Sequence, residues 1–307
     1  MTNGEKSIIL FFKGTKKTSS KEKIMKSVFM RFPEGKAKAL TLSYDDGVEQ
    51  DIKLMEILDK HGLKCTFNIN SGLFAAEDKV YEPGRVHRRM RLSQVIGLYK
   101  NSGHEVAVHA STHPWLETLP AAMVAKEIID DRIALEKLFE TPIRGMAYPF
   151  GTTSDSVVET LKSCGIVYAR TTAATKKFDI PTDWLRLPST CHHNHPELME
   201  LAQKFVEMEI HEHSKLFYLW GHSYEFEGKD NWNVIEEFAE YMGGRDDIWY
   251  ATNIEIYEYI EAFNRLVWSA DMSFVKNPTT IPVWVKVAKH PNDRAVIKID
   301  AGETVWL

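Results

Sequence analysis

From Lys36 onward, short apolar or β-branched runs alternate with longer stretches of helical period. Parallel strands joined by crossover helices produce that pattern. Residues 39–44 read as a buried strand, and 49–61 as a helix with Ile52, Met55 and Leu58 at helical spacing and Gly62 as its stop. Residues 64–70 form a second strand, Ser93 offers an N-cap for a helix ending near Gly103, and 105–108 return as a strand. The cycle repeats with helix 123–139, strand 143–148, helix 154–164 closed by Gly165, and strand 166–170. Residues 185–187, 215–220 and 248–251 read as further strands, and 196–209, 233–242 and 253–263 as helices. About seven βα units over residues 36–263 predict an irregular TIM-like (β/α) barrel.

After residue 263 the helical period stops. Val283, Val285 and Val287 alternate with other residues, and β-like segments follow at 295–299 and 304–307. Residues 264–307 therefore read as a small β-rich extension, a hairpin packed on the barrel as a lid or dimer contact, with a carbohydrate-binding accessory as the alternative. Residues 1–35 form an N-terminal extension with a strand candidate at 8–12 and a Lys/Ser-rich linker.

With 44% hydrophobic and 26% charged residues among 307, the composition is that of a folded globular chain. Thirty-eight Lys and Arg against 43 Asp and Glu give a net charge of -5, and no basic block extends beyond Arg88, Arg89 and Arg91, which argues against a nucleic-acid partner. Cys65, Cys164 and Cys191 are an odd set without CxxC spacing, as reduced thiols would be. The apolar run at 8–12 is shorter than a signal-peptide core and lacks a cleavage site, and no stretch approaches the ~20 apolar residues that span a bilayer. The expectation is a cytoplasmic chain without a membrane partner; a homo-oligomer is compatible with it.

The chemistry gathers at predicted strand ends. The first strand runs into Asp45-Asp46-Gly47, two adjacent carboxylates where barrel active sites sit. A turn at Gly47 can bring both into one pocket, one to bind a cation and one to stay free as a base; as a bare pattern, Asp-Gly is also an ordinary turn. The strand at 105–108 runs into His109 and His113, four residues apart, which on one side of a helical turn supply two imidazoles to one metal. One Asp and two His make a mixed O/N donor set that suits a catalytic divalent ion, zinc first, with cobalt, nickel, manganese or iron compatible.

Ser43-Tyr44-Asp45-Asp46-Gly47, then Gly103-His104-Glu105 and His109 to Pro114, resemble the polysaccharide deacetylases, the NodB-like carbohydrate esterases of family 4. The resemblance covers about residues 36–262. It implies that Asp45 is the general base and that Asp46, His109 and His113 hold the metal. Tyr148-Pro149-Phe150 resembles the third family motif, which would line the groove and place the Phe150 N–H at the oxyanion; the family's Arg position holds Ala147, and Arg144 and Arg186 are candidate substitutes. Asp183-Trp184 resembles the fourth, an acid that tunes the catalytic His and a Trp that walls the pocket. Leu219-Trp220-Gly221-His222 matches the fifth, with His222 as general acid and Leu219 against the acetyl methyl.

His192 and His193 are candidates for substrate contact, whereas His211 to His213 read as an exposed loop, and His104 packs behind the metal site. Trp115, Trp184, Trp220 and Tyr148 suggest a sugar-stacking groove, although aromatics at strand ends are as often core. The implied function is metal-dependent removal of acetyl groups from N-acetylated or O-acetylated carbohydrate. Two rivals stand beside it: a cytosolic hydrolase of a small amide or acylated sugar, and a catalytically silent carbohydrate-binding protein on the same fold.

Overall fold

The computed structural model describes residues 27–290 and 293–307, so the strand candidate at 8–12 lies outside the described residues. In chain order the strands are β1 Ser27–Arg31, β2 Lys38–Asp45, β3 Cys65–Ile69, β4 Glu105–Val108, β5 Gly145–Ala147, β6 Tyr168–Ala174, β7 Leu187–Ser189, β8 Cys191–His192, β9 Lys215–Gly221, β10 Ile248–Tyr250, β11 Val267–Trp268, β12 Phe274–Lys276, β13 Val283–His290, β14 Asp293–Ile299 and β15 Thr304–Trp306. The helices are α1 Asp51–Lys60, α2 Leu92–Tyr99, α3 Ala121–Phe139, α4 Asp155–Ser163, α5 Leu198–Glu207, α6 Tyr224–Gly228, α7 Asn233–Met242 and α8 Asn253–Asn264. No helix among the described residues is long and apolar enough to cross a membrane.

The main sheet is parallel, in the order β7-β6-β5-β4-β3-β2-β9-β8, with β10 paired to the first residues of β2. Thr190 alone separates β7 from β8, and its N–H donates to the Tyr218 carbonyl at 2.8 Å. The run 187–192 thus pairs with β6 along its first half and β9 along its second, bridging the two ends of the sheet. The alternating pattern had predicted this (β/α) barrel.

Alternation along the strands sorts side chains by face. Leu40, Leu42, Tyr44, Phe67, Ile69 and Leu219 pack outward in one cluster with helix residues such as Leu54, Ile128, Leu161, Phe205 and Phe238. The opposite face carries Thr41, Ser43, Asp45, Thr66, Asn68 and Arg170, all buried. The barrel interior is therefore polar and has to satisfy itself by hydrogen bonds. Thr41 donates to Asn253 at 2.8 Å, and Asn253 donates to the Tyr218 hydroxyl at 2.7 Å.

Three expectations change. Ser93 lies within α2, whose N-cap is Arg91. Residues 184–186, partly read as a strand, form a 3-10 turn because the Asp183 carboxylate accepts the Leu185 N–H at 3.2 Å; the strand begins at Leu187. The β-rich extension is not a lid. β13 and β14 form a hairpin that β1 extends, and a second small sheet holds β11, β12 and β15. The Tyr259 hydroxyl of α8 donates to the Arg31 carbonyl and accepts the Trp284 N–H, which fixes the larger sheet beside Phe32, Ala39 and Leu216, at the strand starts and away from Asp45.

Deep in the barrel, Glu105 accepts from the hydroxyls of Tyr168 (2.6 Å) and Thr66 (2.8 Å) and from the Ile254 N–H (2.9 Å). Burial nevertheless pushes its carboxyl up to about 7 from an ordinary 4.5. A carboxyl whose pKa is raised by folding stabilises fully below its unfolded pKa, and that contribution is lost as pH rises through the folded value. Wild-type protein should therefore lose stability relative to Glu105→Gln between pH 4.5 and 7, by at most about 3 kcal/mol, in urea melts of both proteins across that range.

Candidate functional site

β2 delivers Asp45 and Asp46 to one end of the barrel. Asp45 continues the inward face; Asp46 would point the other way, but it takes a left-handed backbone (φ 88) and Gly47 another (φ 62), which turns the second carboxylate back. A Cβ on Gly47 would lie 3.0 Å from the Ile69 side chain and in a left-handed backbone, so the turn favours glycine. The turn predicted at Gly47 thus starts one residue earlier.

Asp45 is held from two other strands. Asn68 of β3 donates to its Oδ1 at 2.9 Å and to Ser43 Oγ at 2.8 Å. Arg170 of β6, fully buried, donates from Nη2 to its Oδ2, and the guanidinium lies 4.3 Å over the Trp220 ring. Burial alone would raise the Asp45 pKa; Arg170, with His109 and His222, outweighs it and keeps the carboxyl below the usual range. Asp45 is a buried anion, fixed in place.

His109 and His113 follow β4. Ala110 (φ 60) and His113 (φ 57) are left-handed, so a tight turn rather than the expected helical turn brings the rings together, 4.7 Å between centroids. His109 Nδ1 donates to the Ala147 carbonyl at 2.7 Å, which leaves the Nε2 lone pair facing the carboxylates. Asp131 of α3, missed in the sequence, accepts the backbone N–H of His109 at 3.1 Å and of Ser71 at 2.7 Å. Burial lowers both imidazoles, His113 to about 4, so they stand neutral and able to ligate. Asp46 Oδ1 lies 4.0 Å from His109 Nε2 and 3.9 Å from His113 Nε2, and the three donors fall within 4.8 Å of one another. Their chemistry and spacing fit a divalent transition ion.

His222 lies across the pocket, its Nε2 3.9 Å from Asp45 Oδ2. Its Nδ1 donates to Glu225 Oε1 at 2.8 Å. Burial would lower the His222 pKa, but Glu225 and the two aspartates outweigh it and raise it, so the ring takes a proton more readily than an ordinary histidine. His192, His193 and Glu225 also lie within 4.8 Å of one another. They do not make a second metal site: His192 Nδ1 accepts the Asn194 N–H at 3.1 Å, so its Nε2 carries the proton of the neutral ring, and Glu225 is engaged by His222 and Asn194.

Several expected residues stand elsewhere. Trp184 packs edge-on to Tyr257 with centroids 5.1 Å apart, near the strand starts, and Asp183 caps its own turn; Glu225 takes the position beside His222 that Asp183 was expected to hold. Leu219 is the register partner of Leu42 and faces the helices, so Trp220, not Leu219, turns into the barrel. Tyr148 is buried, its hydroxyl donating to the Leu185 carbonyl at 2.7 Å, and Pro149 is buried at the start of a short turn. Phe150 does reach the mouth, 43% exposed, left-handed (φ 60), with its ring 4.6 Å edge-on from His113 and 3.8 Å in a parallel stack on Trp115. His192 stands beside His222, with ring centroids 6.1 Å apart. His104 accepts the Cys65 N–H at 3.0 Å beneath Phe67, at the strand starts rather than behind the metal donors.

Neither Arg144, paired with Glu258, nor Arg186, paired with Asp155 and Asp183, approaches Asp45. Arg170 does, and it is the register partner of Ala147 on the adjacent strand. The guanidinium sits at the same height, one strand over.

The family model for polysaccharide deacetylase matches residues 33–169. Over that segment the chain is similar to the polysaccharide deacetylases. The segment contains Asp45, Asp46, His109, His113 and Phe150; Arg170 and His222 lie beyond it. A chitooligosaccharide deacetylase of Sinorhizobium fredii is 26% identical over 153 residues, 49% of this chain and 61% of that relative, so the chain spans under two thirds of the relative's length. A solved structure from Mycobacterium smegmatis, assigned to the polysaccharide deacetylases, aligns over 78% of this chain and 96% of its own at 15% identity, with a TM-score of 0.54. The likeness is one of fold, a mostly parallel α/β sheet wrapped by helices.

The buried pair of Arg170 and Asp45 makes a direct prediction. Arg170→Met should destabilise the protein by about 3–5 kcal/mol, since it strands a buried anion, and adding Asp45→Asn should recover much of that loss. Urea denaturation of the two single variants and the double variant measures the coupling; additive losses would contradict the pairing.

Proposed function

We propose that this chain is a divalent-metal-dependent deacetylase that hydrolyses acetyl groups on N-acetylated or O-acetylated carbohydrate. The observation that carries the reading is the placement of Asp45: a buried, ionised carboxylate on Arg170, with the Nε2 atoms of His109 and His222 each 3.9 Å from its Oδ2. A base, a set of metal donors and an acid converge on one pocket. Similarity to the chitooligosaccharide deacetylase of Sinorhizobium fredii supports an acetylated sugar as substrate.

Asp46, His109 and His113 would hold the ion, zinc first by donor type. Such an ion polarises an acyl carbonyl and acidifies water. Asp45, without a role as ligand, takes the proton of the attacking water, and its fixed carboxylate needs no reorganisation to do so. The N–H of Phe150, beside His113, is assigned to the developing oxyanion. His222, kept protonated by Glu225, donates from Nε2 to the departing nitrogen or oxygen, and acetate is released. Asp45 ionised and His222 protonated coexist because their pKa values are shifted apart, one down and one up.

Acetate release from a panel of acetylated oligosaccharides and small amides, with zinc- or cobalt-loaded protein, tests the reading. Release should stop with chelator and in Asp46→Ala, while Asp45→Asn should keep its metal yet lose about a hundredfold or more in turnover. A loaded protein that cleaves small amides but no acetylated saccharide would move the substrate to the amides, and wild-type protein that binds no metal would overturn the reading.

A further inference from the structure

The segment between β3 and α2 brings two more nitrogen-bearing side chains to Asp46. Val48 and Arg89 form an antiparallel bridge, Met90 N–H donates to the Gly47 carbonyl at 3.0 Å, and Glu49 N–H to the Arg88 carbonyl at 2.8 Å. Arg88 secures the segment on Glu49 at 2.7 Å and on Glu227 at 2.9 Å. So held, Arg89 donates from Nη2 to Asp46 Oδ1 at 2.9 Å and from Nη1 to Asn70 Oδ1 at 2.7 Å and to the Asp46 carbonyl. His87 Nε2 lies 3.4 Å from the other carboxylate oxygen. The oxygen nearest both His109 and His113 is therefore the one on which a guanidinium already sits.

We infer that Arg89 is a positioning residue that tunes the ion: it fixes the Asp46 carboxylate before loading and weakens metal binding by placing a second cation on the ligating oxygen. This rests on the metal-dependent reading above. A like charge within a few ångströms of a divalent ion, in a pocket shielded from water, opposes binding, and an oxygen that already shares its charge with a guanidinium is a poorer donor. The ion so held keeps more of its own charge for the substrate. Arg89 also neutralises a carboxylate that is otherwise buried.

The test is the metal affinity of the full chain, from zinc titration against a chromophoric chelator, with Arg89→Met, Arg89→Gln and Arg89→Lys beside wild type. Arg89→Met and Arg89→Gln should bind zinc at least about tenfold more tightly, Arg89→Lys close to wild type, and the metal-free forms of the first two should melt lower yet gain more in Tm on loading. Arg89→Gln keeps a donor for Asn70 and carries the test if Arg89→Met does not fold. Unchanged or weaker affinity in the folded neutral variants would overturn the role of Arg89 while leaving the deacetylase reading intact. No zinc binding by wild type would remove the reading on which both rest.

Discussion

The constraint on which the site depends is a charge pair placed where charges are expensive. Asp45 and Arg170 meet inside the barrel, both buried, and neither can ionise there alone. Their neighbours follow from that need: Asn68 occupies the second carboxylate oxygen, Trp220 covers the guanidinium face, and the polar lining of the strands replaces the water that is missing. A barrel is suited to this arrangement because every strand presents alternate residues to one enclosed space. The result is a carboxylate whose position and ionisation are set in advance, as the proposed role of Asp45 as base requires.

Around this pair the two sides of the pocket are built by different means. On the side of the proposed metal donors, four left-handed residues, Asp46, Gly47, Ala110 and His113, turn side chains toward a common point that regular strands would have sent apart. Non-glycine residues in that region are strained and persist where surrounding contacts hold them, here Arg89 on Asp46 and Asp131 and Asn70 on the backbone at His109. On the side of His222, the proposed acid, Glu225 gathers His222 and Asn194 and so sets the tautomer of the imidazole and favours its protonation. The two sides share Asp45, and the pocket works as one electrostatic unit.

Most of the scaffold was legible in the sequence, because hydrophobic period reports which faces are covered, and seven βα units cover theirs in few ways. Asp45, Asp46, His109 and His113 stood out at the ends of strands that period locates, whereas His222 was singled out only through the family resemblance. Arg170 did not stand out, although it ends a predicted strand two residues after Tyr168 and shares its face. Nothing in one sequence says which neighbour a buried arginine meets across a sheet, and the lateral move from Ala147 to its register partner is visible only in three dimensions. Glu225 escaped for a related reason, because an acid three residues past a histidine is common on helices. Leu219 and Trp184 were misplaced by motif order: the first falls on the outward face of its strand, and the second follows a turn that Asp183 caps.

The measurement that bears most directly on this account is anomalous diffraction from crystals loaded with zinc and acetate. The account predicts one strong peak among Asp46 Oδ1, His109 Nε2 and His113 Nε2, with Asp45 off the metal and still on Arg170, and acetate between Phe150 and His222. A peak on His192, His193 and Glu225, or Asp45 drawn away from Arg170 to ligate the ion, would contradict it.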